Sequence, residues 1–150
     1  MICDKAPQTV PSRWMGLDIG SKRIGVAISD LLKMTARPLL TLQRESPEKD
    51  VQRLLELAQQ QNVSLIVVGR PLKMSGARSE ILDLVERFAD ELAERSALRF
   101  DWVDERLSTK EAEALMSEHG VKVAERRGKR DQYAAALILT WYLEERAGGI

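Results

Sequence analysis

The sequence has almost no cysteine or histidine and few aromatic residues. Among its 150 residues, Cys3 and His119 are each the single residue of their type, and aromatic side chains make up 5%. A single thiol cannot form an internal disulfide, which is typical of proteins from a reducing compartment. A nucleophilic cysteine would need a neighbouring base, and we do not expect Cys3, in a polar N-terminal segment, to pair with His119.

The chain also lacks a long apolar run and a net charge. No segment approaches the roughly 20 apolar residues that span a bilayer, and the N-terminal stretch "MICDKAPQTVPSR" has no apolar signal-peptide core. These absences predict a cytoplasmic protein without membrane contact. The 23 Lys and Arg residues balance 23 Asp and Glu residues, so any nucleic acid must be held by a local basic patch rather than by bulk charge.

Length and pattern predict one domain. A chain of 150 residues suits a single domain of ordinary size. Residues 1–13 carry two prolines and show no periodicity, so we expect a flexible N-terminal extension there. Residues 14–150 are predicted to form the domain.

The stretch "RWMGLDIGSKRIGVAISD" predicts a β-hairpin. Met15, Leu17 and Ile19 alternate with small or polar residues, which is strand period and places Asp18 on the opposite face. The intervening "GSKR" is short enough for a hairpin turn. In the second strand, small residues at 25 and 27 leave room for another element to lie close to that face.

The middle of the chain alternates helices and strands. "ARPLLTL" predicts a third strand, and a helix follows with Ser46 as its N-cap. "VSLIVVG" is almost continuously apolar, which predicts a strand buried on both faces. A second helix is predicted from about Ser79 to Arg95, and "LRFDWVDE" alternates as a fifth strand.

Two more helices complete the predicted fold. Ser108 and Glu111 form a capping box that starts a third helix, and "DQYAAALILTWYLEE" predicts a last helix that begins at Asp131. The result is an α/β fold with a five-stranded mixed sheet, made of a three-strand antiparallel meander plus two parallel strands and flanked by helices. This order of elements fits a ribonuclease H-like arrangement.

Three carboxylates occupy element junctions, where sites of open α/β sheets gather. Asp18 lies in the first strand, Glu105 ends the fifth and Asp131 opens the last helix. Three converging acids would repel one another, and bound Mg²⁺ or Mn²⁺ would relieve that repulsion. Such ions can activate water and stabilise a leaving oxygen in phosphodiester cleavage.

Each acid also has a simpler interpretation. An Asp inside a strand is unusual, so the position of Asp18 indicates a functional role rather than a role in solubility. Glu105 in "DER" is equally consistent with a solvated strand end. Asp131, taken alone, is better explained as an acid at a helix N-terminus.

Cations lie beside these acids. Lys22 and Arg23 occupy the hairpin turn, and the segment "KVAERRGKR", residues 122–130, has five cations and one acid directly before Asp131. A basic loop of this kind can neutralise phosphates, although charge runs are commonly just solvated. The candidate phosphate contacts are Lys22, Arg23, Arg106, Arg126, Arg127, Lys129 and Arg130.

Four motifs in order resemble one family. "LDIGSKRIGVAISD", "VVGRPLKMSG", "DERLST" and "KRDQYAAALIL" are similar to those of the YqgF-type Holliday junction resolvases, also described as precursor 16S ribosomal RNA nucleases. The resemblance covers about residues 14–145. It implies a ribonuclease H-like fold and metal-dependent nuclease chemistry, with Asp18, Glu105 and Asp131 as the metal-binding, catalytic acids.

The resemblance further implies a role in maturing the 5′ end of the small-subunit ribosomal RNA. Branched DNA is the other substrate class, and the protein is expected to act as a monomer or homodimer. Two alternatives stay open: a non-catalytic RNA-binding module for ribosome assembly on the same fold, and an actin-like nucleotide-binding fragment, which the "DIG" turn also resembles.

Overall fold

The computed structural model describes residues 11–71, 77–105 and 109–148. Most of the predicted N-terminal extension, residues 1–10, lies outside these ranges, and Arg13 is already the first residue of a strand. The strands are β1 (Arg13–Ile19), β2 (Arg23–Ser29), β3 (Ala36–Gln43), β4 (Val63–Pro71) and β5 (Arg99–Glu105). The helices are α1 (Pro47–Gln60), α2 (Ala77–Glu94), α3 (Thr109–Glu118) and α4 (Val123–Gly148).

The strands form one mixed sheet in the order β3-β2-β1-β4-β5. β2 pairs antiparallel with both β1 and β3, which gives the predicted meander. β4 pairs parallel with β1 and with β5. Because β1, β4 and β5 run in the same direction, their carboxyl ends meet at one edge of the sheet, where the candidate site was expected.

Each face of the sheet carries its own apolar core. Met15, Leu17 and Ile19 of β1 pack into a cluster with side chains of α1 and α2. Ala27 and Val67 belong to the other cluster, which includes the buried side chains of α4. The inner strand β4, between β1 and β5, contributes to both clusters, as its nearly continuous apolar sequence predicted.

The first helix begins as the sequence indicated. The Ser46 side chain accepts a hydrogen bond from the Lys49 backbone N–H at 3.2 Å, and Pro47 is the first helical residue. Proline suits that position because its missing N–H would have no partner within the helix. The predicted N-cap is therefore confirmed.

The last helix begins eight residues earlier than predicted, at Val123 instead of Asp131. The basic segment 122–130 is therefore almost entirely helical, not a loop, and Asp131 lies inside α4 rather than at its start. Apolar periodicity is absent from this stretch, but Ala, Glu, Lys and Arg are strong helix formers. Ion pairs from Arg126 and Arg130 to Glu113 of α3 also hold it.

None of the helices within the described ranges is both long and apolar enough to cross a membrane.

Glycines bring α4 unusually close to the sheet. A Cβ atom on Gly25 of β2 would lie 1.9 Å from the Asp131 carbonyl oxygen, and one on Gly16 of β1 would lie 2.9 Å from the Ala135 carbonyl oxygen. On β4, a Cβ atom on Gly69 would lie 2.4 Å from the Ile138 side chain. The three strands thus form a surface without side chains at these positions, and α4 packs directly against it, as the small residues of β2 had suggested.

This close packing predicts that Gly25→Ala strongly lowers the stability of the protein. The added methyl group would overlap the α4 backbone at Asp131, so the helix must shift, and overpacking of this kind typically costs about 1–3 kcal/mol of unfolding free energy. Urea denaturation of the variant measures the loss. Gly128→Ala is the matched control, since a Cβ atom at that exposed helical glycine meets nothing within 4 Å.

The control should be neutral or should gain up to about 1 kcal/mol, because alanine is the better residue inside a helix. Equal stabilities for the Gly25→Ala variant and the parent would contradict the close approach of α4.

Candidate active site

Asp18 and Asp131 are brought together by the contact between β2 and α4. Asp18 lies near the carboxyl end of β1 and pairs across the hairpin with Gly25. The α4 backbone touches Gly25 at Asp131. Because alternate strand residues share a face, Asp18 lies on the same face as Gly16, which α4 covers. Its side chain is only partly accessible.

Glu105 reaches the same edge from the other side of β4. It is the last residue of β5 and pairs with Pro71 at the end of β4. It shares a strand face with Val103, which packs into the cluster beneath α4. The three predicted acids therefore gather at one sheet edge on one face, although 113 positions separate Asp18 from Asp131 in the chain.

Asp18 interacts electrostatically with both other acids. Its pKa is raised from 3.8 to about 8, first because burial removes the carboxylate from water, then because of repulsion from Glu105 and from Asp131. Burial and neighbouring like charges both favour the neutral acid. At neutral pH and without a cation, Asp18 therefore retains its proton.

Arg23 compensates part of this charge. Its Nε atom donates to Asp131 Oδ2 at 2.7 Å, and the Arg23 side chain remains 49% exposed. Arg23, which is expected to contact phosphate, thus also forms an ion pair with Asp131, which is expected to bind the metal. Lys22, next to it in the turn, is exposed.

The donor set suits a hard divalent cation, because carboxylate oxygens are the ligands that Mg²⁺ and Mn²⁺ prefer. A dication between the three acids would also offset the repulsion that, after burial, raises the pKa of Asp18. Within residues 11–71, 77–105 and 109–148, however, no three His, Cys, Asp or Glu side chains lie close enough to hold a metal ion. The chemistry of the three carboxylates fits the ion, but at this shared sheet edge their side chains lie too far apart to ligate one ion together.

Four of the five cations in the basic segment form two pairs, and the fifth, Lys122, is exposed. Arg126 and Arg130 contact Glu113 at 3.1 and 3.5 Å, and Arg126 also donates to the Val121 carbonyl oxygen. Arg127 and Lys129 are exposed. The remaining candidate, Arg106, lies outside the described residues, as do residues 72–76 of the second motif.

Sequence reasoning missed a buried ion pair on the other face of the hairpin. Asp50 of α1 is 1% exposed and accepts a hydrogen bond from Arg44 Nε at 3.0 Å. In the sequence Asp50 is only an acid in the first turn of a helix, where acids are common. An arginine six residues earlier was the available indication, but spacing alone does not show burial.

The family model described as "RuvX: Holliday junction resolvase" matches residues 12–145. A protein of Endomicrobium trichonymphae named "Putative pre-16S rRNA nuclease" is 40% identical over 134 residues, which are 89% of this chain and 96% of the relative. A protein of Symbiobacterium thermophilum with the same name is 45% identical over 132 residues, 88% of this chain and 92% of the relative.

The fold has solved counterparts. T. thermophilus RuvC, solved in complex with a Holliday junction substrate, aligns with a TM-score of 0.63 at 19% identity and covers 91% of this chain and 96% of its own. This similarity confirms the predicted ribonuclease H-like arrangement of the five-stranded sheet.

The raised pKa of Asp18 predicts that Asp18→Asn increases the stability of the protein by an amount that depends on pH. Between pH 3.8 and about 8 the folded protein binds a proton that the unfolded chain releases. Stability is therefore lost as pH rises through this range, by at most about 1.4 kcal/mol per unit. Asparagine cannot ionise, so the stability advantage of the variant should grow from about pH 5 to about pH 8 and then level off.

Urea denaturation in EDTA across this pH range tests the prediction. Asp104→Asn is the control, because it removes an exposed carboxylate from the same strand end as Glu105. A constant difference between Asp18→Asn and the parent at every pH would show that Asp18 is not held protonated.

Proposed function

The chain belongs to the RuvX Holliday junction resolvase family, and we propose that it is a nuclease that hydrolyses phosphodiester bonds with the help of Mg²⁺ or Mn²⁺. Membership confirms the resemblance drawn from the four motifs. The observation that carries the proposal is the position of Asp18, Glu105 and Asp131 at one sheet edge, where burial and then repulsion from the other two acids raise the pKa of Asp18 to about 8. A cluster of like charges that destabilises itself is typical of a site that awaits a counter-ion.

Asp18, Glu105 and Asp131 are the proposed ligands. When bound, the metal would supply an activated water and stabilise the leaving oxygen. Asp18 must release its proton before its oxygens can ligate, so metal binding should itself release a proton. Arg23 orients Asp131 through the 2.7 Å contact and, being half exposed, can also face a phosphate of the substrate.

The proposed substrate is precursor 16S ribosomal RNA, cut in maturation of its 5′ end. Support comes from the names of relatives that match most of this chain at 40–45% identity. Branched DNA is the alternative substrate, in line with the description of the family model, while the junction-bound neighbour at 19% identity shares the fold alone. Processing of ribosomal RNA is consistent with a cytoplasmic protein, and the proposed state is a monomer or a homodimer.

Cleavage assays with single variants test the proposal. Asp18→Asn, Glu105→Gln and Asp131→Asn should each lower Mn²⁺-dependent cleavage of a structured precursor RNA by at least about 100-fold, because each removes a charged ligand of the reacting ion. Asp104→Asn, at the exposed position beside Glu105, should keep the activity of the parent. A four-way DNA junction in parallel reactions identifies the preferred substrate.

Equal cleavage by the parent and Asp18→Asn would overturn the assignment. Tight RNA binding by a parent that never cleaves would instead favour the non-catalytic module for ribosome assembly.

The two pairs of basic residues on α4 should differ in effect. Arg127 and Lys129 are exposed, so the double variant Arg127→Ala/Lys129→Ala should bind single-stranded RNA more weakly. The slope of log affinity against log salt should fall by about 1.4, because each phosphate contact contributes about 0.7. Arg126→Ala is the comparison: it breaks the contact with Glu113 and should mainly lower thermal stability.

Salt titrations of RNA binding provide the measurement. An unchanged slope in the double variant would remove this turn of α4 from the proposed interface.

A further inference from the structure

A buried charge pair lies next to the hairpin turn, on the face opposite α4. The Asp50 carboxylate, 1% exposed, accepts from Arg44 Nε through Oδ2 and from the Glu45 backbone N–H through Oδ1, both at 3.0 Å. The Arg44 side chain is 12% exposed and stacks over the Phe88 ring at 4.6 Å. A buried pair is weak evidence for a stability role, because desolvation offsets much of the attraction.

Arg44 also binds the turn between β1 and β2 at two points. Its Nη1 atom donates to the Gly20 carbonyl oxygen at 3.0 Å, and its backbone N–H donates to the Lys22 carbonyl oxygen at 2.9 Å. The turn itself is closed by the Gly20 N–H, which donates to the Arg23 carbonyl oxygen at 2.9 Å. The planar guanidinium can reach Asp50 and Gly20 together because its donors point in fixed directions.

The turn held in this way carries Arg23, and it begins two residues after Asp18. Arg23 leaves the turn toward the opposite face and binds Asp131 at 2.7 Å. The chain of contacts therefore runs from Asp50 through Arg44 to Gly20, across the turn to Arg23, and on to Asp131. Every link is a hydrogen bond or an ion pair of 3.0 Å or less.

We propose that Arg44 and Asp50 are positioning residues, which fix the hairpin turn so that Arg23 holds Asp131 beside Asp18. The inference rests on the proposed nuclease function for its effect on catalysis, but the restraint on the turn can be measured without it. Arg44 and Asp50 lie on the opposite face from the three acids, so they act through the turn and not on the substrate.

A double variant separates positioning from folding. Arg44→Met/Asp50→Asn removes both buried charges together, so neither is left unpaired. Met retains the apolar contact with Phe88, and the Asn side-chain oxygen can still accept from the Glu45 N–H. The guanidinium bond to Gly20 is lost. Arg53→Met is the matched control. Like Arg44, Arg53 donates to a backbone carbonyl oxygen, but its acceptor is Gln43 at the end of β3 and not Gly20 in the turn.

Amide exchange and kinetics are then compared in the parent, the double variant and the control. In the double variant, the Gly20 N–H and the Arg23 Nε–H should exchange about tenfold faster, since a looser turn opens more often. The kcat for RNA cleavage should fall about tenfold or more while KM changes less than about twofold, because misplaced groups slow the step rather than weaken binding. The control should resemble the parent in each measurement.

Unchanged exchange at Gly20 and Arg23 would overturn the proposal, as would faster exchange with an unchanged kcat. A parent that cleaves nothing would defeat the proposed function alone. In that case faster exchange at both sites would still support the restraint of Arg23 by Arg44 and Asp50, and unchanged exchange would still refute it.

Discussion

The structure depends on the direct contact between helix α4 and the sheet over Gly25. At that point the helix backbone occupies the space that a side chain on the strand would fill. A Cβ atom on Gly25 would lie 1.9 Å from the Asp131 carbonyl oxygen. Gly25 pairs with Asp18 in the neighbouring strand. One close approach therefore determines both how tightly the last helix packs and how near two distant carboxylates lie.

Placing those carboxylates together has an electrostatic consequence. Burial and repulsion raise the pKa of Asp18 to about 8, so without a cation a proton on Asp18 and Arg23 at Asp131 compensate two of the three carboxylate charges. Asp131 is already paired at 2.7 Å, whereas Asp18 is not matched by a cation among its described contacts. A divalent ion could compensate the charges of both carboxylates, which is the physical reason for the metal site proposed at this edge.

The hairpin turn is supported from both faces of the sheet. On one face Arg23 connects it to α4, and on the other Arg44 connects it to α1 through the buried Asp50. The two arginines have different surroundings, since the Arg23 side chain is 49% exposed and the Arg44 side chain is 12% exposed. The exposed one is suited to meet a substrate, and the buried one is suited to hold the backbone that carries it.

The sequence by itself determined the elements whose signals are local: the alternation of β1 and β2, the Ser46 cap and the continuously apolar β4 each depend on neighbours a few residues apart. It also pointed to the three acids, through motifs that resemble a known family. The sequence did not predict the start of α4, because a polar helical turn shows no apolar periodicity. That turn is stabilised by ion pairs with Glu113 of another helix. Only the tertiary structure decided that Arg23 meets Asp131 and that Asp50 is buried against Arg44, since ion pairing and desolvation depend on which segments pack together in space.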